Sequence, residues 1–259
     1  MIIDSDVHIS PTKEGGNSIL AEELIERMDG AGVDQALTWI QPPYVRTELD
    51  GSLKYLYESV KRFPRRLLGF GWVDPNLGIA RGLDTIKRCL EEYGFYGVKL
   101  NGAQNAFYLD DEQASIPLIE AVARHGKPVA FHCGADVGDF THPFRIGKVA
   151  KRFPETKFLM VHMGGAAFED YSRTAIEVAK ECANITLIGS AIRSIPLIRA
   201  IRELGSGRVA FGSDTPFELM YLEVEKYKAF LAREFPPADG EGVWWRTIAG
   251  VLGLPGESA

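Results

Sequence analysis

Five side chains that can bind a metal or move a proton recur at one kind of place in this sequence. Asp6 and His8 stand in IIDSDVH, His132 in PVAFHCG, His162 in KFLMVHMG and Asp214 in VAFGSDTP. Each comes late in an apolar run and just before a polar or Gly-containing stretch. Asp6 and His8 are two apart and so share one side of a strand. Neutral imidazoles with carboxylates suit Zn²⁺ or a similar first-row ion, whose open position holds a water with a pKa that can fall to roughly 7. Two carboxylates balance a divalent charge and leave that water less acidified, while the harder oxygen donors also suit Mn²⁺. One divalent ion is expected, zinc first and manganese as the alternative. Each position has a blander reading: a strand-end pair can be a surface accident, Asp214 in GSDTP has the composition of a helix N-cap, and His162 could be a core histidine.

Residues scattered over two hundred positions can meet only if the elements bring their tips together. Short apolar runs occur at IIDSDVH, VDQALTWI, LLGFGWVD, YGVKLN, PVAFHCG, KFLMVHMG, ITLIGSA and VAFGSDTP, each followed by a stretch with helical apolar spacing. Near-continuous apolar strands imply burial on both faces, hence a parallel sheet with helices outside. Eight such units in 259 residues match a single closed (β/α)8, or TIM, barrel of the α/β class, with an open doubly wound sheet as the alternative. In a closed barrel the first and eighth strands are neighbours, which brings Asp6 and His8 beside Asp214 at a divalent metal. Helices are expected at AEELIERMDGAG, at FEDYSRTAIEVAKECA and in the other intervening stretches. PPADGEG reads as a turn before a last helix, GVWWRTIAGVLGL, and one domain over residues 1–259 is expected.

A net charge of -6 without a basic block disfavours nucleic acid and anionic membrane as partners. No apolar stretch approaches transmembrane length, the opening Met runs straight into a strand, and Cys89, Cys133 and Cys182 lack CxxC spacing. A cytoplasmic protein with reduced thiols and a small-molecule partner is expected; assembly into a homo-oligomer is left open. Lys99, in YGVKLN, is read as a substrate-binding amine, because a rim amine is poorly placed for burial. Arg193, past the seventh strand, either grips a substrate carboxylate or is solvated. His142 either lines the pocket or starts a helix in THP. Asp74 reads as turn chemistry and His125 as a helix cap.

The pattern resembles the metal-dependent amidohydrolase superfamily, and more closely its amidohydrolase 2 branch, the aminocarboxymuconate semialdehyde decarboxylase-like enzymes. THPFRIGKVAKRFPETKFLMVHMGG and FGSDTP are similar to that branch's fifth-to-sixth-strand passage and eighth-strand signature. DSDVH is similar to its first-strand HxH, with Asp6 in place of the first His, and Thr247 holds a usual Asn position. The resemblance implies Asp6, His8, His132 and Asp214 as metal ligands. It implies His162 as a catalytic base or electrostatic partner, with Asp214 the next candidate for that role. It also implies one metal, with Lys99 uncarboxylated. The reaction expected is hydrolysis of a small amide, ester or lactone by a metal-activated water. The alternative is nonoxidative decarboxylation of a small unsaturated or aromatic acid; the chain's compactness tilts the expectation to hydrolysis. A third reading is a catalytically silent metal-binding barrel.

Overall fold

The computed structural model describes residues 1–13, 17–41, 48–134, 137–165 and 169–255. Strands and helices alternate along it. The strands are β1 (Ile3–Ile9), β2 (Gln35–Ile40), β3 in two parts (Leu67–Gly69 and Gly71–Trp72), β4 (Val98–Leu100), β5 (Val129–His132), β6 (Phe158–Val161), β7 (Ile185–Ile188) and β8 (Val209–Ala210). They are followed in turn by α1 (Ala21–Ala31), α2 (Leu49–Arg62), α3 (Ile79–Lys87), α4 (Ile116–Arg124), α5 (Pro143–Arg152), α6 (Glu169–Glu181), α7 (Ser194–Leu204) and α8 (Met220–Glu234).

All strand pairs are parallel and sequential, as short apolar strands joined by helical crossovers require. The break in β3 falls at Phe70, whose N–H still bonds Thr38 O at 2.9 Å while Gly71 N–H reaches Gly97 O at 2.8 Å, so the ladder passes from β2 to β4. The barrel closes between β8 and β1. Ser5 N–H donates to Phe211 O at 2.9 Å, Asp214 N–H to Asp6 O at 2.9 Å and His8 N–H to Thr215 O at 2.8 Å, with a parallel bridge between Val7 and Thr215. The expected closed barrel is therefore the fold, and the open sheet is set aside.

The burial follows from the sequence pattern. Residues of β1, β5, β6 and β7 are buried on both faces, one toward the barrel interior and the other toward the helices. α1 turns Ala21, Leu24 and Met28 inward at helical spacing and ends at Gly32, whose φ of 70° is the left-handed cap that Gly tolerates. On the strand faces opposite His132, Phe131 and Phe158 stack at 5.7 Å between ring centroids.

One boundary differs from the sequence reading. PPADGEG is not a turn: Pro237 opens a helix (Pro237–Glu241) that continues through Gly242–Arg246 into Thr247–Leu252. Proline's fixed φ suits the first helical turn, so the same composition serves a helix start. The helix expected from Phe168 is α6; Phe168 itself lies outside the described residues, as do residues 256–259 of the expected domain.

Candidate active site

β1 supplies Asp6 and His8, both buried, and Asp214 stands four residues after β8 ends at Ala210. His8 Nε2 lies 3.4 Å from Asp6 Oδ1 and 3.7 Å from Asp214 Oδ1. One donor atom from each of the three residues falls within 4.8 Å of the others, and this is the metal-compatible cluster among the described residues. His8 Nδ1 lies 2.9 Å from Ile40 O. A carbonyl can only accept, so Nδ1 carries the hydrogen and Nε2 presents its lone pair to the carboxylates. Trp39 Nε1–H approaches that lone pair at 3.0 Å.

Asp214 has a φ of 59° and does not cap α8, whose N-cap is Leu219. The bland N-cap reading of its side chain is thereby removed. A left-handed Asp and the neighbouring left-handed His162 (φ 63°) and Met163 (φ 49°) put backbone strain at strand ends that face the site.

His132 ends β5 and His162 follows β6, and their rings meet edge to face at 4.7 Å. Gly134 and Gly164 let the two loops come this close: with φ 75°, a Cβ on Gly134 would lie 1.9 Å from Gly164 O. His162 Nδ1 lies 3.7 Å from Asp6 Oδ2, and Ser190 sits between them. His132 adjoins the Asp6, His8 and Asp214 cluster without belonging to it.

Lys99 corrects one expectation. An amine was expected to be poorly placed for burial, yet Lys99 is fully buried. Its Nζ lies 3.6 Å from Asp6 Oδ1, 3.6 Å from the Trp39 ring centre and 5.5 Å from that of Trp72. A carboxylate on one side and indole faces on the others replace bulk water for the ammonium. Nζ makes no hydrogen bond, and neither does Asp6 Oδ1.

The electrostatics are those of a cation site. Burial works against the charge on Asp6, but the neighbouring Lys99, His8 and His162 overcome it and hold the carboxyl well below the usual carboxylate range. Burial and the Asp6 charge push Asp214 well above that range. Burial lowers Lys99 to about 8 against the pull of Asp6 and Asp214, and lowers His162 to about 4, so its imidazole is neutral at pH 7. Two buried carboxylates lie close together, one with an oxygen that no hydrogen bond satisfies, and the Nε2 of the His8 imidazole is within 3.7 Å of both. This donor set fits one divalent cation.

His142 is the N-cap of α5, its Nδ1 accepting from Phe144 N–H at 3.2 Å, and its ring packs on Tyr171 at 4.5 Å. Arg193 is exposed at the N-cap position of α7. Asp74 accepts from Asn76 N–H at 3.0 Å as turn chemistry requires, and His125 ends α4 as a cap. Sequence reasoning missed Trp39, Ser190 and Asp4. Asp4 Oδ1 accepts Asp6 N–H at 3.1 Å and Ser213 N–H at 2.9 Å, so one carboxyl fixes the backbone beside both Asp6 and Asp214. Plain strand alternation would not have found it, because the register of β1 shifts between Asp4 and Val7.

Comparison with known proteins gives this geometry a context. The chain is 22% identical over 263 residues to a gamma-resorcylate decarboxylase of a Polaromonas species, covering 77% of this chain and 78% of that protein. The 5-carboxyvanillate decarboxylase of Sphingomonas paucimobilis shares the fold with a TM-score of 0.77 at 17% identity, over 98% of this chain and 99% of that one. A dihydroxybenzoic acid decarboxylase of a Polaromonas species, with bound manganese and the inhibitor 2-nitroresorcinol, superposes with a TM-score of 0.77 at 20% identity, over 98% and 97%.

These proteins overturn the expectation of a hydrolase: the relative and both neighbours are decarboxylases of aromatic acids. The inference from compactness fails because this chain covers nearly the whole of both neighbours. The amidohydrolase family model matches residues 3–254. With eight parallel strands, a strand-end cluster of Asp6, His8 and Asp214 and that match over nearly its whole length, the chain belongs to the amidohydrolase family of enzymes.

Proposed function

We propose that this protein is a metal-dependent nonoxidative decarboxylase of a small aromatic carboxylic acid. The observation that carries the reading is the buried cluster of Asp6, His8 and Asp214 beside a neutral His162, on a barrel shared with aromatic-acid decarboxylases. Asp6, His8, His132 and Asp214 would hold the ion. Manganese is favoured over zinc because two of the four donors are carboxylates and because a structural neighbour holds manganese. When bound, the ion supplies Lewis-acid stabilisation of negative charge on the substrate's oxygens.

The reaction replaces a carboxylate by hydrogen. A proton reaches the ring carbon that bears the carboxylate, the C–C bond breaks, its electron pair restores the aromatic ring and CO₂ leaves. The chain must therefore deliver one proton and keep bulk water from competing. Burial keeps His162 neutral and able to exchange a proton, and Asp214, whose carboxyl burial pushes upward, is the second carrier. Lys99 contributes a positive charge beneath the site, opposite an anionic substrate. Arg193 and His142 are the outer candidates for substrate contact, His142 as a wall held by its capping bond. The three buried, unpaired cysteines support work in the reducing cytoplasm, and no described helix is long and apolar enough to cross a membrane.

Manganese-loaded protein, incubated with 2,6-dihydroxybenzoate and 5-carboxyvanillate and in parallel with simple lactones and amides, tests the reading. CO₂ release with loss of the carboxyl from an aromatic acid is expected. Hydrolysis of a lactone or amide without CO₂ release from any acid would overturn it.

A further inference from the structure

Ser190 lies two residues beyond β7 and is completely buried. Its hydroxyl donates to Asp6 Oδ2, and the same Oγ lies 3.0 Å from His162 Nδ1. Its backbone carbonyl stands 3.3 Å from that nitrogen. A hydroxyl has one hydrogen, and here it is given to a carboxylate that can only accept. Toward His162, then, both Ser190 oxygens can act only as acceptors. Nδ1 must carry the hydrogen, which leaves the Nε2 lone pair as the reactive end of the ring.

The contact constrains Asp6 equally. With Oδ2 engaged by Ser190, the remaining oxygen, Oδ1, is the one without a hydrogen bond and the one 3.4 Å from His8 Nε2. Packing holds the arrangement: a Cβ on Gly212 would lie 3.1 Å from the β-carbons of both Ser190 and Asp6 and 2.7 Å from Ile188 Cγ2. Glycine at 212 lets the two side chains approach across the barrel seam.

We infer that Ser190 is a positioning residue that assigns the two ends of two groups: it fixes His162 as the Nδ1–H tautomer and reserves Asp6 Oδ1 for the cation. The consequence for catalysis rests on the reading of His162 as a proton carrier; the tautomer and the carboxylate orientation do not.

Nitrogen NMR of ¹⁵N-histidine-labelled, zinc-loaded protein tests the inference without a substrate, because zinc is diamagnetic and the chain has 5 histidines to assign. His162 is expected to show a protonated Nδ1 and a pyridine-like Nε2 in the wild type and in Ser190→Thr, and averaged nitrogens in Ser190→Ala. On the acid the enzyme decarboxylates, Ser190→Ala is expected to lower kcat roughly 10- to 100-fold with KM and metal content little changed, and Ser190→Thr to restore most of it. A wild-type His162 protonated at Nε2 overturns the inference even if no variant folds. So does a Ser190→Ala protein with the wild-type tautomer and turnover. A correct tautomer in a protein that decarboxylates nothing would sink the proposed reaction and leave Ser190's role standing.

Discussion

Replacing Lys99 by Met removes the buried ammonium while keeping an unbranched stem of similar length. Lys99 Nζ and Asp6 Oδ1 are 3.6 Å apart, which corresponds to an attraction of about 5 kcal/mol at an effective dielectric of ~20. Removing one partner of a buried pair typically costs ~3–5 kcal/mol, because the other charge is left uncompensated. Asp6 also faces Asp214 across His8, so the loss leaves two carboxylates with no cation between them. For a chain of this size each kcal/mol shifts the unfolding temperature by roughly 2–4 °C. Lys99→Met in chelator should therefore melt roughly 6–20 °C below the wild type, by circular dichroism at one scan rate. Saturating manganese should recover at least half of the deficit, since a bound cation replaces the missing charge. A variant melting within about 2 °C of the wild type in chelator would refute the counter-ion argument. A deficit that manganese leaves untouched would show that packing against Trp39, rather than charge, is what Lys99 provides.

Two further outcomes are expected. His132→Ala should lose most of its manganese by elemental analysis, whereas His162→Asn should keep its metal and lose roughly 10²- to 10⁴-fold in turnover; equal metal loss in both would make His162 a ligand. Gly134→Ala must place a methyl 1.9 Å from Gly164 O at a φ of 75°, and should lower stability by ~2 kcal/mol or more in urea. An unchanged midpoint would show that the loops after β5 and β6 can part without cost.

The barrel was legible because strands covered on both faces read as continuous apolar runs, and because polar residues late in such runs have few reasons to be there other than chemistry. Asp6, His8 and Asp214 emerged from that logic. Trp39 did not, since an aromatic residue within ALTWI is indistinguishable from core until its indole N–H is seen on His8. Ser190 gave no signal either: a serine after a strand is ordinary, and its role depends on residues from β1 and β6 that arrive only in three dimensions. Lys99 was recognised as unusual but misjudged in its surroundings, because the carboxylate and indoles that make its burial tolerable come from other strands. The reaction was least legible of all. One donor set serves hydrolysis and decarboxylation alike, and residue types at strand tips say which charges can be stabilised without saying which bond breaks.

The seam between β8 and β1 has a consequence for how this protein comes into being. The backbones of Asp6, His8 and Asp214 form its hydrogen bonds, and Asp4 clasps Ser213 across it from a distance of 209 residues in sequence. Contacts of such long range are slow to form, since the chain loses loop entropy before any bond rewards it. A nascent chain whose eighth strand has not docked therefore has only scattered donors, with no assembled site that could capture a metal. Once the seam has zipped, an ion held there acts as a rivet on the last joint to close. Its binding free energy then opposes unfolding of the whole barrel rather than of one loop.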